Sequence, residues 1–336
     1  MNIAIIGGGS WGLALSNLLY GNGHNVKVWE YNSEYVKLIK ETGRNDNFLP
    51  NIEIEAMVSD SLTNVITLDT EVIILATPSS FLKQTLKQIV PLIIKLTSLK
   101  YIINVAKGFD HSNGDILSEM IKKELPAKFS KLICVLSGPS HAEEVASKKP
   151  TTVTIAGDDL EYLKDAQSAF SNDYFRVYST TDIIGVELGG ALKNVIATAA
   201  GIIVGLGFGD NTIGALLTRG NVEIKRLSVA LGAKPETLDG LAGMGDLITT
   251  AISPHSRNRY VGVELGKGRD LKNILAGMKM VAEGVLATKT TYMLAEKLKI
   301  DMPIMKATYR ILQGEITAHD AIKQLMLREL KTEKWM

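Results

Sequence analysis

The chain has 336 residues and a formal net charge of +1, with 46% hydrophobic and 22% charged residues. This composition is typical of a globular protein with a large core, and the length favours two domains. Since the sequence has no basic tract, nothing in it indicates binding to nucleic acid or to an anionic membrane. A strand begins at the N terminus, so we expect no signal peptide, and the longest apolar stretch, 195–209, is shorter than the roughly 20 residues that span a bilayer. We therefore expect a cytoplasmic protein without stable membrane insertion.

The first thirty residues predict a dinucleotide-binding βαβ unit. Two strand-like runs flank the sequence GGGSWG at 7–12 and the helical pattern that follows it. In this fingerprint Gly7 forms the tight turn, Gly9 lets the backbone approach a pyrophosphate, and Gly12 lets the helix pack against the strand. The N–H groups and the dipole at the start of the helix then hold the phosphates.

Glu30 ends the second strand of this unit and indicates which cofactor is used. An acidic side chain at this position accepts hydrogen bonds from the adenosine ribose and repels a 2′-phosphate. Tyr31 follows, and no arginine stands nearby to offset the charge. We therefore predict that NAD(H) is preferred. NADP(H) stays open as an alternative because Lys27 or Lys37 could reach the same place.

Short apolar runs alternate with helical patterns through the first half of the chain. Runs of this kind are typical of a parallel sheet with crossover helices, since both faces of each strand are buried. Two later runs are predicted as an antiparallel extension of the sheet. The predicted strands are 2–6, 25–29, 71–76, 101–106 and 132–136, followed by 151–156 and 175–178 in the extension.

After about residue 180 the strand-like runs stop, and helical segments punctuated by glycine take their place. We therefore predict an α/β Rossmann-type domain over 1–180, with a mostly parallel sheet, and an all-α domain over 181–336. The clearest helical segments are 182–206, 211–231, 281–298 and 303–312.

Lys107 directly follows the predicted strand 101–106. Ligands of open α/β sheets bind outside the carboxyl ends of the strands, where this lysine and the segment after residue 136 lie. Lys107 is either a cation of the site or an ordinary surface charge, and the sequence leaves both open.

The sequence predicts no metal centre and no disulfide. The five histidines are scattered without ligand-like spacing, and Cys134 is the only cysteine. Because Cys134 lies in an apolar run, we expect a buried, unreactive thiol.

Lys193 lies among apolar and small residues in the first predicted helix of the second domain. A buried lysine is costly unless it is paired or functional. The alternative is a lysine whose stem packs on the helix while its ammonium group reaches water. Gly189 shares its face and allows something to pack closely, and Asn194 could lie at the edge of the same site.

Asp246 follows the glycine-rich sequence LAGMG at 241–245. A tight turn there could direct the carboxylate into a site, or Asp246 could simply cap the next helix. Further on, Ser256, Arg257 and Asn258 stand at a predicted helix start. A hydroxyl, a guanidinium and an amide at a helix N terminus suit a phosphate, although a solvated helix end explains them equally well.

Taken together, these blocks resemble the NAD(P)-dependent glycerol-3-phosphate dehydrogenases of bacteria, in family order from about residue 1 to 330. The resemblance implies interconversion of dihydroxyacetone phosphate and sn-glycerol 3-phosphate, which supplies the glycerol backbone of phospholipids. The matching blocks are GGGSWG at 7–12, NVAKG at 104–108, SGPSHAEEVA at 137–146, GGALKNVIA at 189–197, LAGMGDLITT at 241–250 and SRN at 256–258.

The resemblance also implies roles for individual residues. Lys193 matches the catalytic proton donor and acceptor, Asp246 would position it, and Arg257 with Asn258 would bind the phosphate. His141 and Glu143 depart from the usual family block, with an effect on the adenine side that is left open. The implied substrate site comprises Lys107, Gly138, Ser140, Lys193, Asn194, Asp246, Thr250, Ser256, Arg257 and Asn258. The implied cofactor site comprises Gly7, Gly9, Ser10, Trp11, Gly12, Glu30, Tyr31, Lys107, Ala142, Arg257, Val281 and Glu283.

Two other functions remain as alternatives: a related two-domain 3-hydroxy-acid dehydrogenase, and a non-catalytic protein that senses NAD. The lysine and the phosphate-binding cluster favour an enzyme over a sensor. The oligomeric state is left open, with a homodimer as the candidate assembly.

Overall fold

The computed structural model describes residues 1–278, 281–330 and 332–333. The chain forms two compact units. The first comprises Met1–Ala106 and Leu117–Ile183, and the second comprises Lys107–Ile116 and Ile184–Met336. The second unit therefore contains a short segment that lies between two parts of the first in sequence, which the linear division at residue 180 does not describe.

The first unit is built on an eight-stranded sheet with the order β3-β2-β1-β4-β5-β6-β7-β8. The first six strands pair in parallel in the order 3-2-1-4-5-6, which is the Rossmann arrangement. β7 pairs antiparallel with β6, and β8 pairs parallel with β7, so the predicted antiparallel extension is confirmed. The strands are β1 (Asn2–Ile6), β2 (Asn25–Trp29), β3 (Met57–Ser59), β4 (Val72–Leu75), β5 (Tyr101–Asn104), β6 (Ile133–Ser137), β7 (Thr151–Ala156) and β8 (Phe175–Thr180).

The central strands are buried on both faces because helices cover the sheet from both sides. Every residue of β4, β5 and β6 is buried, as expected of parallel strands with crossover helices. The helices of this unit are α1 (Ser10–Gly21), α2 (Ser33–Thr42), α3 (Leu62–Val65), α4 (Ser79–Ile93), α5 (Leu117–Glu124), α6 (Ala142–Ala146) and α7 (Leu160–Phe170).

The second unit is helical in the part of the chain that the structure describes, apart from the isolated bridge between Phe109 and Ile116. Its helices are α8 (Ile183–Gly205), α9 (Asp210–Ala230), α10 (Asp246–Ile252), α11 (Arg257–Gly266), α12 (Leu271–Ala276), α13 (Glu283–Leu298), α14 (Pro303–Leu312) and α15 (Ala318–Met326).

Helix α8 is the central helix of this unit. It is long and apolar enough to cross a membrane, but 89% of its most apolar window is buried inside the protein. Burial of this kind is typical of a core helix, which is what the sequence predicts for the stretch beginning at residue 195.

Glycines bring α8 and α11 into close contact. A Cβ atom on Gly201 would collide with the carbonyl of Arg259, and one on Gly262 would collide with the carbonyl of Thr198. Gly205 and Gly266 form a second contact of the same kind one turn further along. Since no side chain separates the two backbones, the position of α11 on α8 is closely determined.

Candidate functional site

The glycine-rich turn after β1 has the geometry that dinucleotide binding requires. Gly7 has φ +125°, and a Cβ atom there would lie 2.7 Å from the carbonyl carbon of Ala76. A Cβ on Gly12 would collide with the carbonyl of Gly7, so this glycine lets α1 pack on the turn. A Cβ on Gly9, by contrast, would meet nothing within 4 Å. The space beside Gly9 is therefore open, as close approach of a ligand to the backbone requires.

The start of α1 fits the same ligand. Its N-cap residue is Gly9, which has no side chain to satisfy the first N–H groups of the helix. Ser10 Oγ donates to the Phe48 carbonyl at 2.7 Å. Trp11 Nε1 is buried and has no hydrogen-bond partner among the described residues. An uncapped helix N terminus beside an open glycine is a suitable cradle for the phosphates of NAD(P)(H).

Glu30 lies against this turn. Its Oε1 accepts a hydrogen bond of 2.9 Å from the backbone N–H of Asn32, and a Cβ atom on Gly8 would lie 2.7 Å from its Oε2. Burial raises the pKa of Glu30, while N–H donors from Asn32 and Gly8 partly oppose the rise. Tyr31, the next residue, is 74% exposed. The carboxylate is therefore held beside the glycine turn, and Tyr31 is not packed in place.

The loop after β6 carries the remaining predicted site residues of the first unit. Gly138 has φ +145°, and its Cβ position would be 2.9 Å from the Cα of Val153. Ser140 Oγ donates to the Gly138 carbonyl at 2.9 Å. Ala142 is buried at the start of α6, with His141 at the N-cap position and Glu143 in the first turn.

In the second unit, two lysines share the carboxylate of Asp246. Lys193 Nζ donates to Oδ1 at 2.6 Å, and Lys107 Nζ donates to Oδ2 at 2.6 Å. The side chain of Lys193 is 7% exposed and that of Asp246 is 2% exposed. Lys193 therefore does not extend into solvent, and Lys107 is an ion-pair partner rather than a free surface charge.

Thr250 completes this cluster. Its Oγ1 accepts a hydrogen bond of 2.5 Å from Lys193 Nζ and donates to Asp246 Oδ1 at 3.3 Å. An ammonium group has three N–H donors. Among the described residues, the hydrogen bonds of Lys193 Nζ are those to Asp246 and Thr250, so the third donor is available to a ligand.

Burial and charge shift the pKa values of this cluster in a way that suits proton transfer. Burial and, to a smaller extent, the nearby ammonium of Lys107 lower the pKa of Lys193 to about 8 against the opposing effect of Asp246. Burial would raise the pKa of Asp246, but the charges of Lys107 and Lys193 outweigh it, and the net shift is downward. The carboxylate therefore stays ionised, while the pKa of Lys193, about 8, lies well below that of an ordinary lysine.

A π-helical turn and a glycine position the carboxylate of Asp246 beside the two lysines. Residues Leu241–Gly245 form a π-helical turn ahead of α10, and a Cβ atom on Gly189 would collide with the carbonyl of Ala242 in this turn. The N-cap of α10 is Gly245, and Asp246 is the first helical residue. The carboxylate of Asp246 thus reaches the lysines instead of occupying the N-cap position. Because Gly189 has no side chain, the π-helical turn that precedes Asp246 can pack directly against α8.

Lys107 is held by a segment that packs into the helical unit. Phe109 is fully buried in the core of this unit, and it forms a bridge with Ile116. His111 Nδ1 lies 2.9 Å from Thr290 Oγ1 on α13. The sequence analysis did not predict this arrangement, since nothing in the local pattern shows that a loop following β5 joins the helices.

Helix α11 begins where the sequence predicts. Ser256 is its N-cap, and Ser256 Oγ accepts a hydrogen bond of 3.2 Å from Arg259 N. Arg257 is the first residue of the helix and is exposed. Asn258 is buried and donates through Nδ2 to Asn194 Oδ1 at 2.8 Å. This bond joins the N-terminal turn of α11 to the turn of α8 that carries Lys193.

Asn258 makes a second hydrogen bond that the sequence analysis missed. Its Oδ1 accepts from the backbone N–H of Gly284, 2.9 Å away, in the first turn of α13. Glu283 begins α13 and Val281 lies two residues before it. The N-cap residue Ala282 has no capping side chain, which is the one local signal that another residue must cap this helix.

The structure thus brings together Lys107, Lys193, Asp246 and Thr250, and it connects Asn194 with Asn258. The glycine turn, Glu30, Gly138, Ser140 and Ala142 belong to the other unit. Among the described residues, no group of three or more His, Cys, Asp or Glu side chains could hold a metal ion. Cys134 is buried, and burial raises the pKa of its thiol to about 12.

Comparison with known proteins identifies the family. The family described as NAD-dependent glycerol-3-phosphate dehydrogenase matches through its N-terminal part at residues 2–163 and its C-terminal part at residues 182–323. A glycerol-3-phosphate dehydrogenase (NAD(P)+) of Chlorobium phaeobacteroides is 44% identical over 335 residues, which cover 99% of both chains. One from Lactiplantibacillus plantarum is 43% identical over 333 residues, or 98% of both chains.

Solved structures agree. The crystal structure of glycerol-3-phosphate dehydrogenase from Coxiella burnetii matches with a TM-score of 0.90 and 36% identity, covering 97% of this chain and 98% of that one. The resemblance found in the sequence, the Rossmann-type sheet and the helical second part are all confirmed. The chain therefore belongs to the family of NAD-dependent glycerol-3-phosphate dehydrogenases, which are oxidoreductases.

Proposed function

We propose that this protein interconverts dihydroxyacetone phosphate and sn-glycerol 3-phosphate with NAD(P)(H), and that the product supplies the glycerol backbone of phospholipids. The observation that carries the proposal is the buried hydrogen-bonded cluster of Lys193, Asp246 and Thr250, with Lys107 on the same carboxylate. A buried, paired lysine whose pKa is lowered to about 8 is suited to exchange a proton near neutral pH.

The glycine turn and the start of α1 would hold the pyrophosphate, and Glu30 would accept hydrogen bonds from the adenosine ribose. The nicotinamide supplies a hydride to C2 of the ketone or takes one from C2 of the alcohol. Ser10, Trp11 and Ala142 lie on the turn and loop of the same unit, and we assign them to cofactor binding with Val281 and Glu283 of the second unit.

Lys193 would supply the proton of the reaction. In the direction of reduction, C2 would gain a hydride, the electron pair of the C2–O π bond would move to the oxygen, and the ammonium would donate its third N–H proton to the developing alkoxide. The alcohol leaves with an O–H bond and Lys193 is left as a neutral amine. In the reverse direction the neutral amine takes this proton. Asp246 and Thr250 hold Nζ in place through both steps because each binds it directly.

Positive charge would hold the phosphate of the substrate. Two lysines and one carboxylate leave the Lys107–Asp246–Lys193 cluster with a net charge of about +1 when all three are ionised, which favours an anionic substrate. Arg257 and the N–H groups in the first turn of α11 would bind the phosphate itself. Gly138 and Ser140 are the substrate contacts that we assign to the first unit.

We also propose a cytoplasmic location and a homodimer. The location is supported by the burial of α8, the one described helix long and apolar enough to span a bilayer. The homodimer is the simplest closed assembly, and sedimentation of the purified protein tests it.

One assay tests the activity. Purified protein is mixed with NADH and dihydroxyacetone phosphate, and the loss of NADH absorbance is followed. We expect turnover that depends on both compounds. Oxidation of a 3-hydroxy acid without reduction of dihydroxyacetone phosphate would favour the related dehydrogenase, and NADH binding without turnover of either would favour a sensor. The Lys193→Ala variant is the control for a contaminating activity.

A further inference from the structure

The segment Lys107–Ile116 is a compact loop with its own hydrogen bonds. Asp110 N donates to the Asp115 carbonyl at 2.9 Å, and Gly114 N donates to the Asp110 carbonyl at 2.8 Å. Phe109 packs fully buried in the core of the helical unit. Because these contacts tie the loop to itself, a displacement of its tip is passed on to the residues at its beginning.

The tip of this loop rests on one face of α13. His111 Nδ1 lies 2.9 Å from Thr290 Oγ1, and a Cβ atom on Gly114 would lie 3.2 Å from Leu294 Cδ2. Thr290 and Leu294 are one helical turn apart, so they face the same side of the helix. Thr290 is 6% exposed. Its hydroxyl therefore cannot exchange the bond with His111 for one to water unless the loop moves away from α13.

Lys107 lies at the beginning of the same loop, four residues before His111. Its Nζ donates to Asp246 Oδ2 at 2.6 Å, and its side chain is 19% exposed. A lysine ammonium is carried on a flexible four-carbon stem. The position of the backbone therefore determines how fully the ammonium is paired with the carboxylate, and the position of the backbone depends on what holds the loop.

We propose that His111 is a positioning residue, whose hydrogen bond to Thr290 holds the loop on α13 so that Lys107 stays paired with Asp246. This inference rests on the proposed function and deepens it. His111 has no direct part in the proposed reaction, and it acts on the site through the loop that it shares with Lys107.

The consequence is an effect on Lys193. Burial, and after it the ammonium of Lys107, lower the pKa of Lys193, whereas Asp246 raises it. If Lys107 moves away, the effect of Asp246 is less opposed and the pKa of Lys193 rises. His111 is itself uncharged where Lys193 titrates, because burial lowers its pKa below the ordinary value for histidine against the effect of Asp110.

Removal of either partner of the hydrogen bond tests the proposal. The variants are His111→Phe, Thr290→Val and the two combined, and kcat/KM for dihydroxyacetone phosphate is measured across pH. Loss of one hydrogen bond corresponds to about a fivefold change, so each single variant should lower kcat/KM by about this factor. The combined variant should be no worse than either, since both changes remove the same bond. His111→Asn, whose amide offers a polar group in place of Nδ1, should restore the activity.

The titration of Lys193 supplies a second measurement that needs no turnover. It is followed by NMR on the isotope-labelled Cε carbon of lysine, with the resonance assigned through Lys193→Arg. His111→Phe and Thr290→Val should both move the midpoint to higher pH. Lys107→Met gives the shift for complete loss of the ammonium, about one pH unit or more, and the shift in the other two variants should be smaller.

A midpoint that stays in place in both Thr290→Val and His111→Phe would overturn the proposal, as would multiplication of their effects in the combined variant. If His111→Phe does not fold, Thr290→Val and His111→Asn take over the test. Thr308→Val, which removes a buried threonine bond to the Ile304 carbonyl in α14, is the control for destabilisation and should keep the wild-type midpoint.

The NMR titration keeps this test separate from that of the proposed function. A wild-type protein that reduces no dihydroxyacetone phosphate contradicts the proposed reaction, whatever the midpoint does. An active wild-type protein with an unmoved midpoint in the variants contradicts only the role of His111.

Discussion

Lys107 and Lys193 donate to opposite oxygens of the same carboxylate, that of Asp246, each at 2.6 Å. The two ammonium groups repel each other, and the negative charge of the carboxylate that they share offsets this repulsion. The shared carboxylate also has a chemical effect. Since the side chain of Lys193 is buried and Lys107 lies near it, the proton on Lys193 is held less tightly than that of an ordinary lysine.

The first prediction concerns Lys193 itself. A positioned acid–base group contributes about 10²–10⁴-fold to the rate, so Lys193→Ala should lower kcat by a factor in this range with little change in NADH binding. Lys193→Arg keeps the charge but cannot release its proton in the working range, and it should be severely impaired too. Steady-state kinetics on both folded variants is the measurement. Activity within about threefold of wild type in Lys193→Ala, well below the range for such groups, would contradict the assignment.

The second prediction concerns pH. Reduction needs protonated Lys193, so kcat/KM for dihydroxyacetone phosphate should fall as the pH rises through about 8. Oxidation needs the neutral amine, so kcat/KM for glycerol 3-phosphate should rise through the same region. Asp246 raises the pKa of Lys193, and Asp246→Asn should therefore move both transitions to lower pH. Profiles whose midpoint does not move in Asp246→Asn would argue against Lys193 as the titrating group.

The third prediction concerns the substrate phosphate. If Arg257 binds it through two parallel hydrogen bonds, Arg257→Lys loses one of them and is not a conservative change. KM for dihydroxyacetone phosphate should rise strongly while KM for NADH changes less. Arg269→Lys is the matched control, because Arg269 pairs with Glu264 in the same unit and has no proposed role in binding. Equal KM values for dihydroxyacetone phosphate in Arg257→Lys and wild type would show that the phosphate binds elsewhere.

The fourth prediction concerns the choice of cofactor. We expect kcat/KM to be higher with NADH than with NADPH, because Glu30 places a carboxylate beside the glycine turn. Glu30→Ala combined with Tyr31→Arg should relax the preference. Tyr31 is largely exposed, so the arginine can be accommodated, and Tyr31→Ala serves as the control. Equal or better kcat/KM with NADPH in the wild type would contradict the prediction, and unchanged selectivity in the double variant would place discrimination elsewhere.

Much of the fold was predictable because it depends on local patterns. Continuous apolar runs predict β4, β5 and β6, and the glycine spacing predicts the turn after β1. β3 was not predicted. It has three residues, and its Met57 is exposed. The segment is therefore too short to show either a continuous apolar run or an alternation of apolar and polar residues.

The candidate site was predictable as a set of residues but not as an arrangement. The sequence places Lys193 in a helix and Asp246 after a turn, and from the local pattern alone a capping role for Asp246 stays open. Only the three-dimensional structure shows that the two are paired across 53 residues. The hydrogen bond between Asn258 and Gly284 was missed for the same reason. A side chain and a backbone N–H that are far apart in sequence produce no local pattern from which their contact could be predicted.

The segment Lys107–Ile116 lies within the first unit in sequence and within the second in space. A gene fragment that begins at residue 184 would encode every helix from α8 onward apart from its first residue, yet it would lack Phe109, which fills the core of this unit, and Lys107, which neutralises one side of Asp246. Such a fragment would have a cavity in its core where Phe109 packs, and Asp246 would lack its ion pair with Lys107. The helical unit is therefore not a transferable module. Recombination that exchanged only the C-terminal half between relatives would also exchange the surroundings of Phe109 and Lys107, so those two positions must remain compatible with whichever helices they meet.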